Sequence, residues 1–186
     1  MKLINMVYVS MFAAIMGALG VIPPIFLSFT PVPITLQSMG VMLSGSILGA
    51  RLGPKYAALS QALFLLVVAA GMPLLSGGRG GIGVFASPSG GYLISYIVGA
   101  YVIGYFAYRM KKISIIKIML INILGGIFVV YLFGIPFQAL MMNISIAKAA
   151  YMSLVFLPGD FIKVVVASLL AIKLQKAIRV NKEIEA

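Results

Sequence analysis

The sequence predicts an all-α integral membrane protein: six transmembrane helices, both termini in the cytoplasm, and outer loops that cap a ligand pocket. Three observations carry this reading. Of 186 residues, 62% are hydrophobic and only 9% are charged, and the mean hydropathy is +1.15. A soluble domain of this size needs far more polar surface than that, so lipid must be the solvent for most of the exterior. The apolar residues also fall into six runs, the first of about 20 residues, which is enough to span a bilayer. Most Lys and Arg lie in short segments between those runs, the pattern that marks the cytoplasmic side.

The expected spans are roughly 3–22, 35–50, 56–72, 90–108, 114–133 and 159–175, in a single domain covering 1–186. The first is read as a retained span. A signal peptide has a shorter apolar core and polar mature sequence after its cleavage site, whereas here "PPIFLSFTPVPITLQ" and more apolar sequence follow. The second and sixth runs are short, so they tilt differently or extend into flanking sequence. Lys2, Arg51 with Lys55, the "RMKK" segment at 109–112 with Lys117, and a tail carrying Lys173, Lys176, Arg179 and Lys182 fall on one side. That side is assigned to the cytoplasm. The outer connections have another character: 23–34 is rich in proline, 73–89 is rich in glycine, and 134–158 holds a short amphipathic helix near 144–154. Apolar loops are costly in water unless they fold over one another, hence the expected cap. A faint parallel repeat pairs "GMP" at 71–73 with "GIP" at 134–136, each closing a hairpin of spans.

Composition also excludes functions. A formal charge of +11 suggests nucleic acid in a soluble chain, but here the loops account for it and no nucleic-acid partner is expected. There is no Cys and no His, which removes thiolate metal sites and the Ser-His and Cys-His catalytic sets. Metal binding and proton relays are poorly supplied, because Asp160 is the only acid apart from Glu183 and Glu185. The string "GARLGPKY" at 49–56 lacks the Gly-Lys-Ser/Thr ending of a phosphate cradle. No enzyme activity, metal or cofactor is expected, and uphill movement would draw on a partner or an ion gradient.

Four stretches carry chemistry. In "LPGDFIKVVV", 157–166, Pro158 opens a helix and Asp160 falls at its cap or first turn, where the helix dipole favours an anion. Lys163 is three residues on, on nearly the same face. A plain cap explains this pair, but Ser or Thr caps at lower cost beside lipid, so an ionisable group at this depth is a site candidate. In "SGGRGGIGVFASPSGGYL", 76–93, glycines including Gly80 and Gly81 flank Arg79. Such a loop lets backbone amides approach a ligand and lets Arg79 grip a carboxylate; the alternative is a flexible outer hairpin with a solvated Arg. The "SPSGGY" turn then delivers Tyr92 into the fourth span. In "TPVPITLQSMG", 30–40, Pro31 and Pro33 enforce extended backbone ahead of Gln37. The Gln37 amide serves a ligand or a neighbouring helix. In "SMFAAIMGALG", 10–20, Ser10, Ala14 and Ala18 recur every four residues, as do Ala13 and Gly17. Such ridges let another helix approach closely.

Taken together and in order, these pieces resemble the biotin-specific substrate-binding subunits, the S components of the BioY family, of energy-coupling factor (ECF) transporters. The resemblance rests on "PVPITLQSMGVMLSGSILGARLGPKYAAL", "AAGMPLLSGGRGGIGVFASPSGGYLISYIVGAYVIGY" and "LPGDFIKVVVASLLA". It implies a six-helix subunit in the plasma membrane of a prokaryote that captures biotin from outside. Its implied partners are a membrane coupling (T) protein and a pair of cytoplasmic ATPases, whose ATP hydrolysis topples the subunit and releases biotin inside. The family's Ala-x-x-x-Ala motif for the coupling protein lands on Ala14 and Ala18. The implied biotin-binding set is Asp160, Lys163, Arg79, Gln37, Gly80, Gly81 and Tyr92. Asp160 can accept from the ureido N–H groups, Lys163 or Gln37 can donate to the ureido carbonyl, and Arg79 can hold the carboxylate, with Arg79 and Lys163 exchangeable. The alternatives are an S component for another vitamin and an ion-coupled secondary transporter. A thiamine site would want more acids, and ion coupling would want paired intramembrane acids.

Overall fold

The computed structural model describes residues 2–111 and 114–184, with side chains in the last helix described through Gln175. Lys112 and the side chains of Lys176, Arg179, Lys182, Glu183 and Glu185 lie outside the described residues.

Helix α1 spans Leu3–Val21. Pro23 and Pro24 follow it, and they supply no amide hydrogen to continue the ladder. The proline-rich connection is more ordered than a loop. It forms an antiparallel hairpin of β1, Ile25–Leu27, and β2, Thr30–Ile34, with Ile25 opposite Ile34 and Leu27 opposite Thr30. Both strands are edges, so Pro31 and Pro33 are tolerated in β2. This hairpin departs from the helix-and-loop architecture expected from the sequence.

Helix α2 covers 37–52 and changes pitch on the way, from α at Gln37–Leu43 through a π segment at Ser44–Gly49 to a last turn at Ala50–Leu52. The chain then reverses at Gly53, whose φ of 106° is open only to glycine, and Pro54 starts α3, Pro54–Ala69. A 3-10 turn at Ile82–Ala86 precedes α4, Gly90–Tyr108. Helix α5 runs Ile115–Met142 with a π segment at Leu124–Val129. Helix α6, Ile146–Ser153, is the short amphipathic helix expected near 144–154, and Ser145 caps it by accepting from the Lys148 amide at 3.2 Å. A 3-10 turn at Leu154–Phe156 leads into α7, Leu157–Ile184, with Asp160 in its first turn.

Two expectations are corrected. The helix that carries the fifth expected span does not stop at 133. Helix α5 continues through Pro136 and ends where Asn143 turns left-handed, with φ of 53°. "GIP" is therefore helical while "GMP" sits at the reversal after α3, which removes the basis for the repeat. A proline costs one helix hydrogen bond, but neighbouring groups absorb that loss inside a helical bundle. The fold is mostly helical, and among the described residues four stretches are long and apolar enough to cross a bilayer: Leu3–Val21, Gly90–Tyr108, Ile115–Met142 and Ile146–Gln175. Pro54–Ala69 is apolar but shorter.

Helix α4 is the packing centre, with Leu93, Tyr96, Ala100 and Ile103 buried. The π segments of α2 and α5 press on it from two sides through glycines. A Cβ at Gly99 would stand 2.7 Å from the Gly125 carbonyl oxygen, and one at Gly104 would stand 3.2 Å from the Gly49 Cα. Polar pairs tie the helices where water is absent: Ser44 to Ser60 at 2.7 Å between α2 and α3, and Asn122 to Ser168 at 3.0 Å between α5 and α7. Such bonds hold well in a low dielectric. Gly99→Val should therefore overpack the α4–α5 contact and cost about 1–3 kcal/mol, read as a lower thermal midpoint of the detergent-solubilised protein. Gly83→Ala, where a Cβ meets nothing within 4 Å, should leave the midpoint unchanged.

Candidate functional site

The start of α7 fixes a carboxylate and an ammonium group one turn apart. Asp160 is 5% exposed and Lys163 is 6% exposed, and Lys163 Nζ donates to Asp160 Oδ1 at 2.9 Å. The first turn of a helix is a favourable place for an anion, but burial of this depth requires more than the dipole. Two other helices supply it. Tyr131 of α5 donates its hydroxyl to Asp160 Oδ2 at 2.7 Å. Ser38 of α2 donates to Oδ1 at 3.5 Å and accepts from Lys163 Nζ at 3.1 Å.

These groups line one pocket. Val32, Pro33 and Ile34 of β2 form one wall, Tyr92 and Tyr96 of α4 a second, and Val130 and Phe156 contribute the rest of the apolar lining. Tyr92 meets Tyr131 and Phe156 edge to face, with centroids at 6.3 and 6.5 Å. Its hydroxyl points to other work: it donates to Gln138 Oε1 at 2.8 Å and shares a 2.9 Å bond with Ser153. Tyr92 thus lends its ring to the pocket and its hydroxyl to the junction of α5 with α6.

The hydrogen-bond count is informative. An ammonium has three hydrogens and a carboxylate about four acceptor positions. Among the described residues, Lys163 spends two hydrogens, on Asp160 and Ser38, and Asp160 receives three bonds. One donor and one acceptor position remain on two residues that line the same largely apolar pocket. The arrangement suits a ligand head that both donates and accepts.

Of the residues singled out from sequence, the structure brings Asp160, Lys163 and Tyr92 into one pocket. Gln37, Arg79, Gly80 and Gly81 are not among its lining residues. Gln37 is buried, with Nε2 donating to Met16 O at 3.3 Å and Leu74 O at 3.1 Å and Oε1 accepting from the Ser76 amide at 3.5 Å. It ties α1, α2 and the glycine-rich loop together beside Ser38. The half-buried Arg79 donates from Nε to Ser76 O at 3.3 Å and from Nη1 to Ser89 Oγ at 3.4 Å. Gly80 packs on the Met72 carbonyl, and the Gly81 amide donates to Val68 O at 2.8 Å, seating the loop on the end of α3. Sequence reasoning missed Ser38, Tyr131 and Tyr96. Ser38 had a signal, since it extends the polar pair begun by Gln37 into an apolar run. Tyr131 stands among apolar residues with no such mark.

On α1, Ser10, Ala14 and Ala18 are exposed. Gly17 is buried, and a Cβ there would meet Leu74 at 3.5 Å. The ridge of Ser10, Ala14 and Ala18 therefore faces outward, while Gly17 of the neighbouring ridge packs into the bundle.

Comparison with known proteins agrees with this architecture. The BioY family profile matches residues 1–180. The chain belongs to the BioY family. It is 51% identical over 181 residues to the probable biotin transporter BioY of Bacillus subtilis, covering 97% of this chain and 95% of that one. It is 46% identical to the biotin transporter BioY of Rhizobium etli, over 89% and 90% of the two chains. The fold matches a crystal structure of the S-component for biotin from an ECF-type ABC transporter, with a TM-score of 0.87, 34% identity, and coverage of 92% and 90%.

In this BioY-family chain, removing one member of the buried pair should be worse than removing both charges. Lys163→Met leaves Asp160 buried without its cation and should cost about 3–5 kcal/mol without ligand. Adding Asp160→Asn to Lys163→Met should recover part of that loss, as read from ligand-free thermal midpoints of the single and double variants.

Proposed function

We propose that this chain is the biotin-binding S component of an ECF transporter, capturing biotin from outside the cell for ATP-driven uptake. The observation that carries the reading is the unspent donor and acceptor on Lys163 and Asp160, set in an apolar pocket of a BioY-family fold. Biotin has a ureido head with two N–H donors and a carbonyl, an apolar bicyclic body, and a carboxylate tail. Asp160 accepts from a ureido N–H, and Lys163 donates to the ureido carbonyl. Tyr131 and Ser38 hold the pair in register, so little reorganisation accompanies binding. The body packs against Val32, Tyr96, Val130 and Phe156. Arg79 receives the tail, exchanging its long bonds to Ser76 and Ser89 for a charge-assisted pair. Gln37, Gly80 and Gly81 support the site by shaping the loop that carries Arg79.

In this reading all six apolar helices cross the plasma membrane, including 37–52 and Pro54–Ala69, with both termini in the cytoplasm. The hairpin and the 70–89 loop then form the outer cap. The chain has no ATP site of its own and works with a membrane coupling protein and a pair of cytoplasmic ATPases. The outward ridge at Ala14 and Ala18 meets the coupling protein, since small residues let a partner helix close in.

Calorimetric titration of the purified chain tests the reading. Biotin should bind the isolated subunit while other vitamins do not, and a vitamin that binds in its place would overturn the assignment. Asp160→Asn should weaken biotin by roughly ten- to more than a hundred-fold, the loss of a charge-assisted bond of about 1.5–3 kcal/mol. Replacing Ala14 and Ala18 with Leu should leave biotin affinity intact while reducing co-purification with the coupling protein. Lost binding with retained assembly would return this ridge to internal packing.

A further inference from the structure

A second concavity lies away from the site above, between α1, α2 and α7. Phe12 and Ile15 of α1, Leu43 and Ile47 of α2, and Leu170 and Leu174 of α7 form its walls. Leu170 and Leu174 are 40% and 47% exposed at its rim. Its walls are apolar along their length. From Tyr8 to Ile15 is about 10 Å of helix rise, so the groove is elongated along the helices.

One end is different. Arg51 lies there, its guanidinium carbon 4.8 Å from the Tyr8 ring centroid. A guanidinium stacked on a ring keeps its edge N–H groups available. Asp160 is the sole acid among the side chains described, and it is paired with Lys163. No described carboxylate therefore answers Arg51. An apolar groove with a cation at one end that no described carboxylate pairs is complementary to an amphiphile with an anionic head. We propose that this groove binds an anionic phospholipid, with an acyl chain between α1, α2 and α7 and the phosphate on Arg51. The proposal needs the membrane setting but not the biotin reading.

A planar fork matches phosphate bidentately, and a basic residue near an anionic membrane surface is worth about fivefold in local lipid. The groove also abuts the outward ridge of α1. Met11 is 45% exposed and lines the groove, while Ala14 lies one turn further along. A coupling protein seated on that ridge would meet the bound lipid.

The chain contains no Trp, so one introduced indole reports its own surroundings. Leu170→Trp places it at the rim of the groove. Phe128→Trp, at a position 60% exposed on α5, reports ordinary lipid contact. Each variant of the full chain is placed in nanodiscs of phosphatidylcholine containing an increasing fraction of phosphatidylglycerol with brominated acyl chains. Quenching at 170 should exceed that expected from the mole fraction by about fivefold, while quenching at 128 follows the mole fraction. Adding Arg51→Gln should bring 170 down to the same line. Leu174→Trp serves as a second reporter should Leu170→Trp fail to fold. The proposal is overturned if the rim reporter follows mole fraction in the parent chain, or if its enrichment survives Arg51→Gln.

Discussion

A carboxylate enclosed by apolar helices has to be neutralised where it stands, and much of this molecule is arranged around doing so for Asp160. Its counter-ion comes from Lys163 on the same helix, one turn away, so the ion pair is local and forms wherever α7 forms. The enclosure is not local. Ser38 reaches in from α2 and Tyr131 from α5, each with a single hydroxyl. Three helices must therefore meet at one height for the pair to be tolerated. A buried pair of this kind is weak as a source of stability but strict about geometry, since either partner alone is costly.

The close packing around α4 supplies that height. Glycines on α2 and α5 bring their π segments against α4 at near backbone contact, and each of those helices carries one hydroxyl of the network on the same side of its π segment as the hairpin. π turns inside α-helices are often found at functional sites because they re-aim the following turn. Here Gly126, within the π segment of α5, itself lines the pocket, one turn from Val130 and Tyr131. Backbone irregularity, glycine packing and the polar floor are thus one structural unit. The β-hairpin covers it from the other side with Val32, Pro33 and Ile34, the side chains that a proline-stiffened strand can hold steady.

Much of this was legible in the sequence, for physical reasons. Composition and hydropathy identify lipid as solvent, because the apolar content exceeds what a soluble surface allows. Asp160 and Lys163 stood out because ionisable residues are rare in such a chain. The amphipathic helix at Ile146–Ser153 was visible from its mixed polarity. What stayed hidden depends on tertiary context. Pro136 reads as a stop, yet α5 passes through it, since a packed bundle absorbs one missing hydrogen bond. The hairpin at 25–34 reads as a loop because its strands are short and contain prolines. Gln37 reads equally as a group for a ligand or for a neighbouring helix, and which elements its three bonds join, α1, α2 and the glycine-rich loop, no spacing reveals. Tyr131 is marked only by where α5 places it.

The proposed direct contact between the Asp160 carboxylate and a ureido N–H has two sides that can each be altered. A cycle that changes both sides of that bond isolates it. Calorimetric affinities for biotin and for biotin methylated at a ureido nitrogen, each measured on the parent chain and on Asp160→Asn, provide the four corners. If the bond exists, methylation costs the parent chain at least about tenfold and costs Asp160→Asn little more, because the acceptor has already gone. Equal losses from methylation in both proteins would contradict this contact and leave Asp160 as a structural partner of Lys163.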